Sequence, residues 1–377
     1  MSLSHSPQVV TDGLVFYYDM ANTKKSWKGA PTTNLYADGN FSTEALHPVR
    51  SGTWSIITDP RNVFARVLKA TPSGSNQYHG RDITAVVSTI YSLQMEIFVS
   101  SDFDGTNVQM YPEQGGSGAA VAYNLSNKGT WQTLKYNGKS ATTTNIRMLA
   151  YILSSFTVGY VLISNVQVEQ SAIATPFING TRSNTQAIID LTGNNTVTAN
   201  SLTYASDGTF SFNGSNTSAS ILNPTISTAV YSVMQWIRPA ASLIDTTNSG
   251  NRRTPLVGVG PVWNPGYWLT ARVFRVHAAT EYRDVTINWV NSTSWHQVGQ
   301  IFDGTTCHTI IDGQILLGTR TAYAPGEVTT VLFGAETYAG AATNWNGDIG
   351  VTQFYNRALS AEEVSQNFNA MRGRYGV

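Results

Sequence analysis

Three segments of the chain set aromatic side chains among turn formers and polar residues: Trp263-Asn264-Pro265-Gly266-Tyr267-Trp268, Tyr78-His79-Gly80-Arg81 and Tyr111-Pro112-Glu113. A flat apolar ring edged by hydrogen-bonding groups is the surface on which a sugar ring stacks. Trp263, Tyr267, Trp268, Tyr78, His79 and Tyr111 are therefore the candidate carbohydrate contacts. Core packing competes with that reading, because large aromatic side chains are also what a β-sandwich buries. Trp268 in particular enters a strand.

Other chemistries find weaker support. Asp102-Phe103-Asp104-Gly105 places alternate carboxylates in a loop, which makes Asp102 and Asp104 a weak calcium candidate. The glycine comes too early and no glutamate closes the loop, so a solvated turn is the simpler reading. The six histidines show no metal-ligand spacing, and no cofactor is expected. Cys307 is the single cysteine, so no intrachain disulfide can form. It is followed by His308 in a strand-like run, where neighbours point to opposite faces, so the two cannot form a nucleophile–base pair. Glu281-Tyr282-Arg283-Asp284 is the densest acidic run, but its spacing does not suit the two flanking carboxylates of glycoside hydrolysis. Glu362 and Glu363 suit the first turn of a helix.

The elements that must position these residues are strands. Charged residues make up only 12% of the 377 residues, and 23 Lys plus Arg balance 23 Asp plus Glu. That excludes a disordered chain and a basic nucleic-acid binder. Thirty-two glycines and 18 tyrosines, with many Ser, Thr and Asn, indicate strands joined by polar turns. Leu93, Met95, Ile97 and Val99 alternate with polar residues, as do Ile146, Met148, Ala150 and Ile152. A third run spans 160–169. Further strands are expected around 13–19, 210–213, 231–239, 295–302, 309–311 and 331–334. One helix follows Ser360, with Glu363 completing a capping box and Leu359 and Val364 a hydrophobic staple. Val364, Phe368 and Met371 form its apolar stripe, and Gly373 is expected to end it. The N-terminus has neither the basic nor the apolar region of a signal peptide, and no apolar run reaches membrane-spanning length. The expectation is synthesis in a cytoplasm, with no membrane insertion.

The block running from Asn346-Gly347-Asp348-Ile349 to Ala361-Glu362-Glu363-Val364 resembles the last strand and closing helix of concanavalin-A-like, laminin-G-like jelly rolls. Trp295-His296-Gln297-Val298, Asp303-Gly304 and Ile311-Asp312-Gly313 resemble a hairpin of that family. Asp12-Gly13-Leu14-Val15-Phe16-Tyr17-Tyr18-Asp19 looks like its first strand. The elements that usually follow soon after, Asp190-Leu191-Thr192-Gly193-Asn194 and Phe210-Ser211-Phe212-Asn213-Gly214, stand about 170 residues downstream. That offset implies an insertion: residues 1–33 and 181–377 form the host sandwich, and 34–180 a guest. The guest's Asn34-Leu35-Tyr36, Gly39-Asn40-Phe41, Trp54, Gly129-Thr130-Trp131-Gln132 and Ile163-Ser164-Asn165-Val166-Gln167-Val168-Glu169 resemble carbohydrate-binding modules of the cellulose/xylan-binding type. Both modules, with Thr175-Pro176-Phe177-Ile178-Asn179-Gly180-Thr181-Arg182-Ser183 between them, look like structural proteins of tailed bacteriophages. Laminarinase-type members of the host family carry an E-x-D-x-x-E motif, which is missing here.

The reading is thus an all-β chain of two antiparallel jelly-roll sandwiches, one inserted in the other, with a short C-terminal helix. The function expected is that of a non-catalytic virion protein of a fibre, whisker, tail or head decoration. It would be made in the host cytoplasm, contact other virion proteins, and bind host-surface glycans. The alternatives are a glucanase-type hydrolase and a virion protein making protein contacts alone. A low charged fraction suits burial at interfaces, so a homo-oligomer is expected, a trimer by resemblance. Residues 1–10, a polar tail outside the first strand, are its expected attachment region.

Overall fold

A computed structural model describes residues 8–22, 25–29, 31–43, 45–63, 65–204, 209–226, 229–240, 253–259, 266–270, 273–278, 281–287, 289, 293–316, 328–335 and 344–377. Every strand ladder among them is antiparallel, and Ala361–Tyr375 is their one α-helix, α1. The chain divides into two compact units. Unit 1 is Met1–Ala30 with Ser183–Val377, and unit 2 is Pro31–Arg182.

In unit 2 the predicted alternation becomes the inside of a sandwich. A five-stranded sheet runs in the order Trp131–Ser140, Ile90–Val99, Val161–Glu169, Arg66–Ala70, Trp54–Thr58. A six-stranded sheet runs Val121–Ala122, Val108–Gln114, Asn145–Ile152, Gln77–Thr84, Val49–Ser51, with Ser117–Gly118 beside Val108–Gln114. Leu93, Met95, Ile97 and Val99 from the first sheet and Ile146, Met148, Ala150 and Ile152 from the second share one apolar core. Because the side-chain period is two, their odd or even neighbours are forced onto the outer faces. Thr32–Thr33 pairs with Thr181–Arg182, so this unit's first and last strands lie together.

Unit 1 has an eight-stranded and a seven-stranded sheet. The first runs Thr203–Tyr204, Phe210–Asn213, Asn346–Tyr355, Tyr231–Pro239, His296–Phe302, Cys307–Ile311, Gln314–Leu316, and Leu14–Asp19 also pairs with Asn346–Tyr355. The second runs Val197–Asn200, Ser218–Leu222, Thr330–Phe333, Arg253–Val259, Gly266–Leu269, Val273–Ala278, Glu281–Thr286. Phe16, Phe212, Val298 and Phe302 from one sheet pack with Leu256, Tyr267, Phe274 and Phe333 from the other. Asp190 ties the start of the unit to the residues 170 positions on. Its Oδ1 accepts from the Tyr17 amide at 3.0 Å, while Thr192 and Asn195 donate to the Val15 carbonyl at 2.9 and 3.0 Å. Asp312 and Gly313 take φ of 47° and 79°, the left-handed pair that a two-residue hairpin turn needs.

Helix α1 starts as expected: the Ser360 hydroxyl accepts from the Glu363 amide, and the Glu363 carboxylate accepts from the Ser360 amide. It does not stop at Gly373. It runs on to Tyr375 and is capped by Gly376 at φ 72°. The last turn has its own anchors. Tyr375 lies 4.5 Å from the Trp236 ring and 4.6 Å from Trp295, and Arg374 pairs with the buried Asp19 at 2.7 Å. Packing of those two residues outweighs the roughly 1 kcal/mol helix penalty of one glycine. The expected polar tail is also corrected in part. Val10 is buried under α1, its amide donating to Asn367 Oδ1 at 2.7 Å and its carbonyl accepting from the Tyr355 hydroxyl at 2.9 Å. Residues 1–7 lie outside the described residues.

Candidate functional site

The outer face of the six-stranded sheet in unit 2 is built from the residues that the core alternation turns outward. On Asn145–Ile152 these are Arg147, Leu149 and Tyr151. Register places Tyr151 opposite Tyr78 and Gln109, Leu149 opposite Gly80 and Tyr111, and Arg147 opposite Asp82 and Glu113. The face therefore carries three cross-strand rows. Tyr151 is the hub of the aromatic part, with its ring centroid 5.8 Å from Tyr78 and 5.9 Å from Tyr111. All three rings are half-buried. The Leu149 side chain packs against Gly80. A Cβ there would come within 1.9 Å of the Met148 carbonyl oxygen, so the close approach of the strands requires glycine.

The charged row stands beside the rings. Arg147 Nε donates to Asp82 Oδ1 at 2.8 Å, and its Nη1 is 3.7 Å from Glu113 Oε2. The two carboxylates raise the guanidinium's pKa further above its usual value, chiefly through the Asp82 hydrogen bond. One guanidinium between two acids offers donors and acceptors to hydroxyl groups. Both acids face the same cation.

The structure sorts the sequence candidates into three groups. Tyr78 and Tyr111 belong to this face and meet through Tyr151, which the sequence reading missed. Its signal was present, because Ile146, Met148, Ala150 and Ile152 facing inward put Tyr151 outward. His79, Tyr267 and Trp268 are buried, with 1–3% of their surface exposed. His79 points into the unit 2 core. Tyr267 donates to Gln235 Oε1 inside unit 1, and Trp268 lies under the Arg275 guanidinium at 4.4 Å. As buried side chains they have no face to offer a sugar. Trp263 lies outside the described residues.

Of the calcium candidates, Asp102 is exposed and Asp104 is spent on structure. Asp104 accepts from the Thr157 amide, the Thr157 hydroxyl and the Val158 amide at 2.6–3.1 Å, closing the loop before Val161–Glu169. Those bonds hold its carboxyl below the usual range. Among the described residues no group of three His, Cys, Asp or Glu could hold a metal ion. Cys307 is buried and accepts from Gln300 Nε2 at 2.9 Å. Burial pushes its thiol up to about 12, while His308 pairs with Asp303. Asp284 of the acidic run is paired with Arg275 across the ladder.

A second aromatic row lies on the outer face of the five-stranded sheet. Phe98 is 5.6 Å from Trp131 and 5.9 Å from Tyr160. Here each terminal ring is covered: the Arg61 guanidinium lies 3.7 Å from the Trp131 centroid, and the Lys69 ammonium 4.7 Å from that of Tyr160. Arg61 is held by Asp59 and by Glu96 at 2.7 Å. The other end of this face is roofed by the chain after Glu169, whose carboxylate accepts from the Thr175 amide and hydroxyl and from Gln167.

No protein-family model matches the chain, and no curated protein matches it. Solved structures with partial likeness include the receptor binding domain of botulinum neurotoxin D, at 14% identity over 50% of this chain and 51% of that one, with a TM-score of 0.40. The binding domain of Paraclostridial Mosquitocidal Protein 1 matches at 17% identity over 48% and 49%, TM-score 0.40. Trypanosoma rangeli sialidase in complex with the inhibitor DANA matches at 16% identity over 48% and 30%, TM-score 0.38. The chain spans about half the length of the first of these structures.

Proposed function

We propose that unit 2 is a non-catalytic glycan-binding module whose contact surface is the Tyr78–Tyr151–Tyr111 face. The open tyrosine cluster carries this reading. Three rings on one rigid sheet, edged by Asp82, Arg147 and Glu113, match the flat apolar faces and polar rims of a sugar chain. Rings fixed by a sheet lose little entropy on binding.

In this reading the whole chain is a bacteriophage virion protein made in the host cytoplasm, seated among other virion proteins and acting as a homo-oligomer, with a trimer as the expected state. The resemblance of the two modules and of the 175–183 connector to tailed-phage structural proteins supports it, as does the low charged fraction. The binding test is a glycan array probed with the full chain and with Tyr151→Ala. Retention of a wild-type glycan signal only when Tyr151 is present supports the module. Equal binding by the variant overturns the assigned face. Absence of binding to any glycan leaves protein contacts as the role. Release of reducing ends from a bound glycan, lost on Glu113→Gln, overturns the non-catalytic part. Immunogold labelling of purified virions and light scattering of the chain test the assembly.

A further inference from the structure

Behind the tyrosine face, on the inner side of the same sheet, two imidazoles lie in an aromatic box. His79 projects inward from Gln77–Thr84, and His47 comes from the segment just before Val49–Ser51. Their ring centroids are 5.3 Å apart, with Phe41 5.4 Å from His47 and Trp54 5.4 Å from His79. They are 5% and 2% exposed. His47 Nδ1 shares a 2.7 Å hydrogen bond with the Tyr36 hydroxyl, but His47 Nε2 and both nitrogens of His79 have no partner. Three unpartnered nitrogens on two buried rings are costly in either protonation state and far costlier once charged.

We propose that His47 and His79 form an acid-sensitive latch that holds the irregular segment 34–48 against the strand Gln77–Thr84. This inference is independent of the glycan reading. Among its described residues the segment contributes no ladder of its own between Asn34 and Val49, and Asp38 and Phe41 within it have positive φ. It is held by the box, by Asn34, by the Leu35 amide donating to the Val168 carbonyl at 2.7 Å and the Gly39 carbonyl accepting from the Val166 amide at 2.9 Å, and by Arg81 Nη1 donating to the Ala37 carbonyl at 2.7 Å. The charged and titratable groups facing the rings are Arg81 on Gln77–Thr84, Arg50 on Val49–Ser51, and Tyr36 and Asp38 on the segment. Protonating both rings would set four cations against the single carboxylate of Asp38. Burial, aided by Arg81 for His47 and by His47 for His79, lowers the two rings to about 4 and about 3. A ring released by opening returns to about 6.5 and takes up a proton. Opening is therefore favoured as pH falls below about 6.5, by roughly 30-fold per histidine between pH 7.5 and 5.

The test is amide hydrogen exchange of the full chain at pH 7.5 and 5, corrected for intrinsic rates. Protection of residues 34–51 should fall by two to three orders of magnitude relative to Ile90–Val99. In His79→Phe, or His79→Asn if that folds better, the acid-induced loss should shrink about 30-fold. An unchanged pH response in the variant overturns the latch. So does imidazole titration of His47 and His79 near the ordinary value in the folded wild type, read by NMR, which needs no variant.

Discussion

On the six-stranded sheet of unit 2, Tyr78 and Tyr111 each touch Tyr151, and Arg147 lies beside them, fixed by Asp82 and Glu113. On the five-stranded sheet, Trp131, Phe98 and Tyr160 make a similar row, but Arg61 and Lys69 lie over its ends. Both rows arise from one cause: a sandwich core with period-two alternation sends every second aromatic outward. The difference lies in where the cation's carboxylates stand. Asp59 and Glu96 draw Arg61 across the Trp131 ring, so that face is closed by its own ion pairs. Asp82 and Glu113 flank Arg147 one row away from the rings and leave them open. An outward aromatic row is therefore left uncovered by cations only when the neighbouring charges are satisfied beside it rather than on it.

The largest test of this contrast is acidity, since the His47–His79 box backs the open face. The folded rings stay neutral down to about 4 and about 3, whereas the unfolded chain takes up protons near 6.5. Stability is thus present in full above about pH 7.5 and is lost as pH falls. The loss should be about 2 kcal/mol per ring by pH 5, measured by denaturant unfolding. Next comes Arg61→Ala, which uncovers Trp131 and strips a partner from the buried Asp59 side chain. It should cost about 3 kcal/mol of stability and leave glycan binding unaltered. A gain of glycan binding in that variant would show that the closed face is a masked site.

Tyr151→Ala should weaken glycan binding by about tenfold or more, as loss of a central aromatic anchor does, and more than Tyr78→Ala or Tyr111→Ala. Calorimetric titration would rank the three, and a peripheral tyrosine outranking Tyr151 would break the hub assignment. Smallest is Arg147→Gln. Arg147 and Asp82 are each 42% exposed, so stability should change by less than about 1 kcal/mol. Glycan affinity should fall by a few-fold, which separates a rim contact from a structural one.

Much of the fold was legible in the chain. Leu93, Met95, Ile97 and Val99 alternate because they line a core, and Ser360 with Glu363 marks the start of α1 because both satisfy orphan backbone donors. The helix end was not legible. Gly373 looks like a stop, and the contacts of Tyr375 with Trp236 and Trp295 and of Arg374 with Asp19 carry the helix past it. The site was half legible. Tyr78 and Tyr111 stood out by their polar surroundings, but so did Tyr267, Trp268 and His79, which are interior.

What the sequence determined by itself was periodicity and turn chemistry, and hence which residues alternate, where strands end, and that the protein is built of strands rather than helices. These are short-range properties, set by backbone sterics and by neighbours within a few positions. The tertiary structure decided which strands became neighbours. Tyr78, Tyr111 and Tyr151 span 73 positions of chain and meet only because Asn145–Ile152 inserts between Gln77–Thr84 and Val108–Gln114. Arg61 and Trp131 are equally remote, yet one stacks on the other. Cross-strand partners depend on register and strand order, which follow from burying the whole core at once. No local pattern encodes whether a ring will face solvent, another ring or a guanidinium.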